Sequence, residues 1–173
     1  YLAKNVAAQT NIRIMTWPGA CEVHEMFSAD DVNQLREAHP GVVILAHPEC
    51  PPDVLEAADF AGSTSALASY VQDNSPNKVV LLTECSMSDN VAAENPGVDF
   101  VRPCNLCPHM KRITLENILD CLTEMKHEVE IDEETRVKAK AAIDAMLALP
   151  KTEKPLAFET GLAPREIEVI SAS

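Results

Sequence analysis

Aromatic side chains are scarce in this 173-residue chain: one Trp, two Tyr and four Phe, 4% of the total. A core therefore has to be assembled from Val, Leu, Ile, Ala and Met, within a hydrophobic content of 46%. Basic residues are also few, 14 Lys and Arg against 27 Asp and Glu, for a net charge of −13. A surface of that sign repels phosphate backbones and anionic membranes, which excludes general nucleic-acid binding. It leaves room for a small anionic substrate, because a helix N-terminus can make a pocket locally positive. No apolar run approaches the roughly 20 residues of a membrane span; Val42–Ala46 is typical of the longest. No signal-peptide pattern is visible. Helix-like sequence begins at Tyr1, so an upstream part is expected. Six cysteines without a secretory signal point to metal binding or buried reduced thiols rather than disulfides.

Two apolar periods alternate along the chain. Tyr1–Gln9 reads as the end of a helix, and Asn11–Trp17 alternates apolar and polar positions as a strand does. Ser28 can cap a helix running through Ala38, with Asp30 and Asp31 suited to its first turn. Gly41–Ala46 is a continuous β-branched-rich run, the mark of a buried parallel strand, and Lys78–Thr83 reads as the next buried strand. Shorter strands are expected at Asp59–Ala61 and Val98–Arg102. Further helices are expected at Asp53–Ala58, Ser63–Gln72, Ser86–Glu94, Thr114–Met125 and Asp132–Leu149. This alternation predicts an α/β fold, with small parallel sheets and flanking helices in three-layer αβα domains. Pro150 stops the last helix, and residues 151–173 show no period; they read as a flexible or partner-dependent tail.

Four segments carry candidate chemistry. In Trp17–Glu25, Pro18-Gly19 forces a turn after a strand, which puts Cys21 in a loop at the sheet edge where α/β proteins place ligands. The competing reading of Cys21 is a buried structural thiol. His24 reads as a hydrogen-bonded structural residue rather than a ligand. In Ala46–Pro52, His47 and Glu49 stand two residues apart on an extended loop and can point the same way. Such a pair can supply an acid/base group and a substrate hydrogen bond; a proline-stiffened loop with incidental polar residues is the alternative, and Cys50 reads as packing. Gly62-Ser63-Thr64-Ser65 opens a helix as an anion cradle or as a plain cap. Pro103–Arg112 holds Cys104 and Cys107 in a CxxC, compatible with zinc, an iron–sulfur cluster or a redox pair. Lys111 and Arg112 add local positive charge that suits an anionic substrate, or form a solvated basic turn. Thiolates, a His/Glu pair and an anion cradle together indicate a metal- or cluster-containing enzyme acting on a small anion. They leave the reaction open.

The ordered motifs W-P-G-x-C-x-V-H-E at Trp17–Glu25, A-H-P-E-C at Ala46–Cys50, G-S-T-S at Gly62–Ser65 and C-P-H-M-K at Cys107–Lys111 resemble the quinolinate synthase family. The resemblance runs from Tyr1 to about Leu149 and does not reach the tail. It implies a cytoplasmic transferase of de novo NAD synthesis that condenses iminoaspartate with dihydroxyacetone phosphate to quinolinate. L-aspartate oxidase is implied as the supplier of iminoaspartate, with no nucleic-acid or membrane partner. Also implied are three similar α/β domains about a pseudo-threefold axis and a 4Fe-4S cluster held by one cysteine from each domain. The fourth iron position is open to substrate, as Lewis-acid chemistry requires.

Carried onto this sequence, the resemblance makes Cys21 the middle-domain cluster ligand and Cys107 the third-domain ligand. His47, Pro48 and Glu49 become the substrate loop, with His47 and Glu49 catalytic and Glu49 the acid/base. Ser63 and Thr64 become the turn that holds a substrate carboxylate or phosphate. Cys104 matches a CxxC partner present in some members only and reads as redox-active or incidental. The first domain, with its cluster cysteine, has no counterpart in the sequence. The chain therefore reads as a C-terminal fragment, inactive alone: residues 1–27 end the middle domain, 28–126 form the third, 127–150 a C-terminal helix and 151–173 the tail. Two rivals stand beside this reading. One is a zinc-stabilised α/β binding module using Cys85, Cys104, Cys107 and Cys121 or His109. The other is a thiol-redox protein using Cys104 and Cys107.

Overall fold

A computed structural model describes residues 1–103, 105–150, 157–158 and 167–170. The chain divides into two compact units, residues 1–107 with 155–173, and residues 108–154. The first unit opens with α1 (Leu2–Gln9) and β1 (Met15–Thr16), then a 3-10 turn at His24–Met26. Helix α2 (Ala29–Ala38) starts at a capping box: the Ser28 side chain accepts the Asp31 amide, and the Asp31 carboxylate accepts the Ser28 amide. Strand–helix repeats follow: β2 (Val43–Ala46), α3 (Pro52–Ala57), β3 (Phe60–Gly62), α4 (Thr64–Asn74), β4 (Lys78–Leu82), α5 (Cys85–Glu94) and β5 (Asp99–Val101). From the end of the chain come β6 (Ala157–Phe158) and β7 (Glu168–Val169); residues 151–156, 159–166 and 171–173, and Cys104, lie outside the described set.

The main sheet has the order β5-β4-β2-β3-β6. Its first four strands are parallel, and β6 pairs antiparallel to β3 at the edge. The period of two in the strands splits the core in half. Ile44 and Ala46 of β2, with Val80 and Leu82 of β4, face Val32 of α2 and Val54 and Leu55 of α3. Leu45, Val79 and Leu81 face the opposite way, toward Leu67 and Val71 of α4 and Val91 of α5. Both faces are covered, which is why these strands read as unbroken apolar runs, and the result is the expected three-layer αβα arrangement. Each fully buried Leu, Ile or Val contributes about 1.5–3 kcal/mol, so β2 and β4 form the rigid centre of the unit. Strand β2 lies between β3 and β4, so the chain leaves β2 to one side and returns across it. Ligand crevices form at such reversals, outside the carboxyl ends of the strands.

The expected strand Asn11–Trp17 shrinks to Met15–Thr16. Its partner is the two-residue β7, and Ile12, Met15 and Trp17 are exposed, so no core face enforces a longer strand. The second unit contains a 3-10 turn at Met110–Arg112, α6 (Leu115–Glu124) and α7 (Glu133–Leu147). Thr114 and Asn117 form a capping box at the start of α6, and Asp132 caps α7. Leu115, Ile118, Leu119 and Leu122 make one apolar stripe on α6 and are exposed. Among the described residues, no helix is long and apolar enough to cross a membrane.

Candidate active site

The site begins with a single turn. The Glu25 amide donates to the Cys21 carbonyl at 2.9 Å. That winds Cys21-Glu22-Val23-His24 so that residues 21 and 24 share a face, while Val23 and Phe27 anchor the turn in the interior. His24 is itself buried, at 7% exposure, and its Nε2 lies 3.1 Å from the hydroxyl of Thr83, the first residue past β4.

The second contributor is the loop after β2. The His47 amide donates to the Leu82 carbonyl at 3.2 Å, continuing the β2–β4 ladder, and the Cys50 amide closes a turn onto the His47 carbonyl at 2.9 Å. The Glu49 amide donates to Nδ1 of His47 at 3.3 Å, which leaves the proton of a neutral His47 on Nε2. The His24 and His47 rings stack with centroids 4.5 Å apart. Oε2 of Glu49 lies 3.1 Å from His24 Nδ1 and 3.6 Å from His47 Nδ1.

Burial, and then the neighbouring His47, push the His24 pKa down to about 4. Burial also lowers that of His47, against an opposing pull from Glu49. Both rings are thus neutral at pH 7, and their contacts with Glu49 are carboxylate to neutral imidazole, not ion pairs. His24 Nδ1 is close to Glu49 but off the direction a hydrogen bond needs, so it stands as a buried nitrogen without a bonded partner. A small turn of Glu49, or an atom of a ligand, would satisfy it.

Donor atoms of Cys21, His24 and Glu49 all lie within 4.8 Å of one another. A thiolate, an imidazole and a carboxylate in that arrangement can hold a metal. A cavity of about 590 Å³ opens beside Cys21 and Glu49, lined also by Tyr1, Val6, Trp17 and Ala20. That volume falls in the range of small-molecule sites. From α1, the buried amide of Asn5 donates to the carbonyls of Pro48 at 2.7 Å and Cys50 at 3.0 Å, holding the backbone on both sides of Glu49. Burial raises the Cys50 thiol to about 12, and its Sγ donates to the Leu82 carbonyl at 3.5 Å. Cys50 is a packing residue, as the sequence suggests.

The structure therefore brings Cys21 and Glu49 together, with His47 and the buried Pro48 in the same loop. Among the described residues, Cys107 lies outside the group of converging ligands. It is a half-buried free cysteine whose amide donates to Oε1 of Glu84 at 3.4 Å. Ser63 and Thr64 stand at the end of β3. Ser63 caps α4 by accepting the Ala66 amide, its Oγ also lies 3.0 Å from that of Ser65, and Thr64 is exposed. Cys85 is disulfide-bonded. This corrects the expectation that the thiols avoid disulfides, and it removes a free thiolate from the zinc-module set. Cys104, needed by both rival readings, lies outside the described residues.

The sequence marks His24 as a hydrogen-bonded structural residue, and its contact with Thr83 agrees; it does not mark Asn5, Thr83 or Glu84. The C-x-x-H spacing could have identified His24 as a companion of Cys21. The Asn5, Thr83 and Glu84–Cys107 contacts carry no local signal, because each joins residues at least 23 positions apart.

An α/β unit that gathers a thiol, two imidazoles and a carboxylate where its strand order reverses is a doubly wound domain with a candidate ligand site beside its strand ends. The family described as Quinolinate synthetase A protein matches residues 1–148, and the chain belongs to that family. It is 63% identical over 147 residues to quinolinate synthase 1 of Mesorhizobium japonicum, covering 85% of this chain and 45% of the relative. To the quinolinate synthase of Xylella fastidiosa it is 60% identical over 149 residues, 86% of this chain and 44% of that one. With the quinolinate synthase of Caulobacter vibrioides, identity is 50% over 169 residues, 98% of this chain and 46% of the relative. That last similarity extends into the tail. The chain spans less than half the length of these curated relatives.

Proposed function

We propose that this chain is the C-terminal part of a quinolinate synthase, a cytoplasmic enzyme of NAD biosynthesis. In this reading residues 1–27 end the middle domain, 28–126 form the third domain, 127–150 the C-terminal helix and 151–173 the tail. The whole enzyme condenses iminoaspartate, supplied by L-aspartate oxidase, with dihydroxyacetone phosphate. Family membership supports the reading, and the observation that carries it is the convergence of Cys21, His24 and Glu49 at the strand-order reversal.

The donor chemistry fits an iron–sulfur group. Cys21 and Cys107 are free, half-buried thiols, and thiolates favour such clusters. These two residues would hold a 4Fe-4S cluster together with a cysteine from outside this chain. When bound, the cluster supplies Lewis-acid polarisation of a substrate oxygen. The chain's own residues do the rest. Neutral His47, with its proton on Nε2, donates a hydrogen bond to substrate. Glu49 takes or returns a proton, and His24 orients the Glu49 carboxylate. Ser63, Thr64 and the N-terminus of α4 hold a carboxylate or phosphate of the substrate.

The test uses the complete gene product, purified anaerobically beside Cys21→Ser and Cys107→Ser. Iron, acid-labile sulfide, visible absorption and quinolinate formation are measured. Brown wild-type protein with about four irons and quinolinate synthesis, both lost in the two variants, is the expected result. Colourless protein carrying zinc in all three samples would overturn the reading. Residues 1–173 alone are expected to form no quinolinate.

A further inference from the structure

The turn that follows β4 touches both the His24 turn and the Cys107 loop. Thr83 reaches His24 through its hydroxyl, and the next residue, Glu84, reaches the Cys107 loop. Glu84 is 7% exposed. Its Oε2 accepts the Ser86 amide at 2.7 Å and so caps α5, while its Oε1 accepts the Cys107 amide at 3.4 Å. The backbone repeats the link: Glu84 bridges in parallel with Asn105, and the Cys85 amide donates to the Asn105 carbonyl at 3.3 Å.

A buried carboxylate is costly unless its oxygens are bonded. Bonds from backbone amides to a charged acceptor are about twice as strong as neutral ones. The Cys107 loop is thus fastened, by side chain and main chain together, to the end of one of the two most rigid strands. Capping alone does not explain this residue type, since Asp, Asn, Ser and Thr lead at N-caps. What Glu adds is reach to a second amide across the sheet edge.

We infer that Glu84 is the positioning residue of Cys107: its carboxylate fixes the backbone from which the Cys107 thiolate leaves. This rests on the reading of Cys107 as a cluster ligand. Residues that orient a metal ligand typically change metal affinity by about 10–100-fold when removed. Glu84 touches neither substrate nor metal in this role, so its loss is expected in cluster retention rather than in the fold.

The decisive substitution is Glu84→Asp in the complete gene product. Asp is a preferred helix cap, so α5 keeps its capping bond. Its carboxylate is shorter by one methylene, about 1.5 Å, and withdraws from an amide already 3.4 Å away. Release of iron to an excess of a ferrous chelator is followed anaerobically, beside the melting temperature of the metal-free protein. The expected result is release about tenfold faster with an unchanged melting temperature. Release at the wild-type rate overturns the positioning role alone. Wild-type protein holding neither iron nor sulfide overturns the quinolinate synthase reading and this role with it. A measurement on the unsubstituted protein guards against a misfolded variant: the Cys107 amide is expected to exchange its hydrogen slowly, and exchange at the rate of an open loop overturns the proposal.

Discussion

Oε2 of Glu49 stands 3.1 Å from Nδ1 of His24, and the imidazole that carries this nitrogen stacks on His47. Three side chains from two loops thereby form one cluster, with the Thr83 hydroxyl beside the far nitrogen of His24. If His24 orients the Glu49 carboxylate, removing the ring misplaces the acid/base group without removing a thiol. In the complete gene product, His24→Ala is expected to slow quinolinate formation by about 10²–10⁴-fold while iron and sulfide stay at wild-type levels. A turnover number within a few-fold of wild type would dismiss that role.

The same burial makes stability depend on pH. His24 has a folded pKa of about 4 against an ordinary 6.5. As pH falls through that window the unfolded chain takes up the proton first, so folding weakens. The stabilisation is fully present above pH 6.5 and lost toward pH 4. A gap of that size corresponds to about 3 kcal/mol, and His47 is displaced in the same direction. Urea midpoints of metal-free protein should fall across the window, and less steeply in His24→Gln. Equal slopes for the two proteins would mean that His24 is not the source.

Legibility in the sequence followed how local each cause was. β2 and β4 could be read because both their faces are covered, so Val43–Ala46 and Val79–Leu82 are apolar without a break. The start of α2 could be read because Ser28 and Asp31 satisfy each other within one turn. The Trp17–Glu25 and Ala46–Cys50 motifs singled out Cys21, His47 and Glu49 because those residues lie in loops that follow strands. The partners of these residues were hidden for the opposite reason. Asn5 bonds to carbonyls 43 and 45 residues away, and Thr83 to a ring 59 residues away. Strand β6 was hidden too: two residues from a tail without a period find their register only against the edge of β3. The disulfide at Cys85 likewise has no mark in its local sequence.

Asn5 offers a test of how firmly the Glu49 loop is held. Its two donated bonds satisfy the carbonyls on either side of Glu49. Asn5→Ala removes both donors and leaves those acceptors without their partner, a loss expected to cost about 1–3 kcal/mol. Asn5→Asp should cost more, since a carboxylate would face two carbonyl oxygens. Urea denaturation of the complete gene product measures the stability. A raised KM for substrate in Asn5→Ala would show the loop loosening. Stability and KM both at wild-type values would remove Asn5 from the architecture of the site.

The cysteines separate by chemistry, and labelling can read the separation. Cys50 is fully buried and its thiol is raised from 9.0 to about 12. At any pH well below 9 that lowers its thiolate fraction about a thousandfold, on top of the barrier to access. Cys21, Cys107 and Cys121 are free and partly exposed. Brief treatment of metal-free native protein with iodoacetamide, read by peptide mass spectrometry, should therefore modify these three and spare Cys50. Cys50→Ala should retain iron and sulfide, whereas Cys21→Ser should lose them. Rapid labelling of Cys50 in native protein would show that the His47–Cys50 turn opens readily, and the clamp assigned to Asn5 would then have to be abandoned.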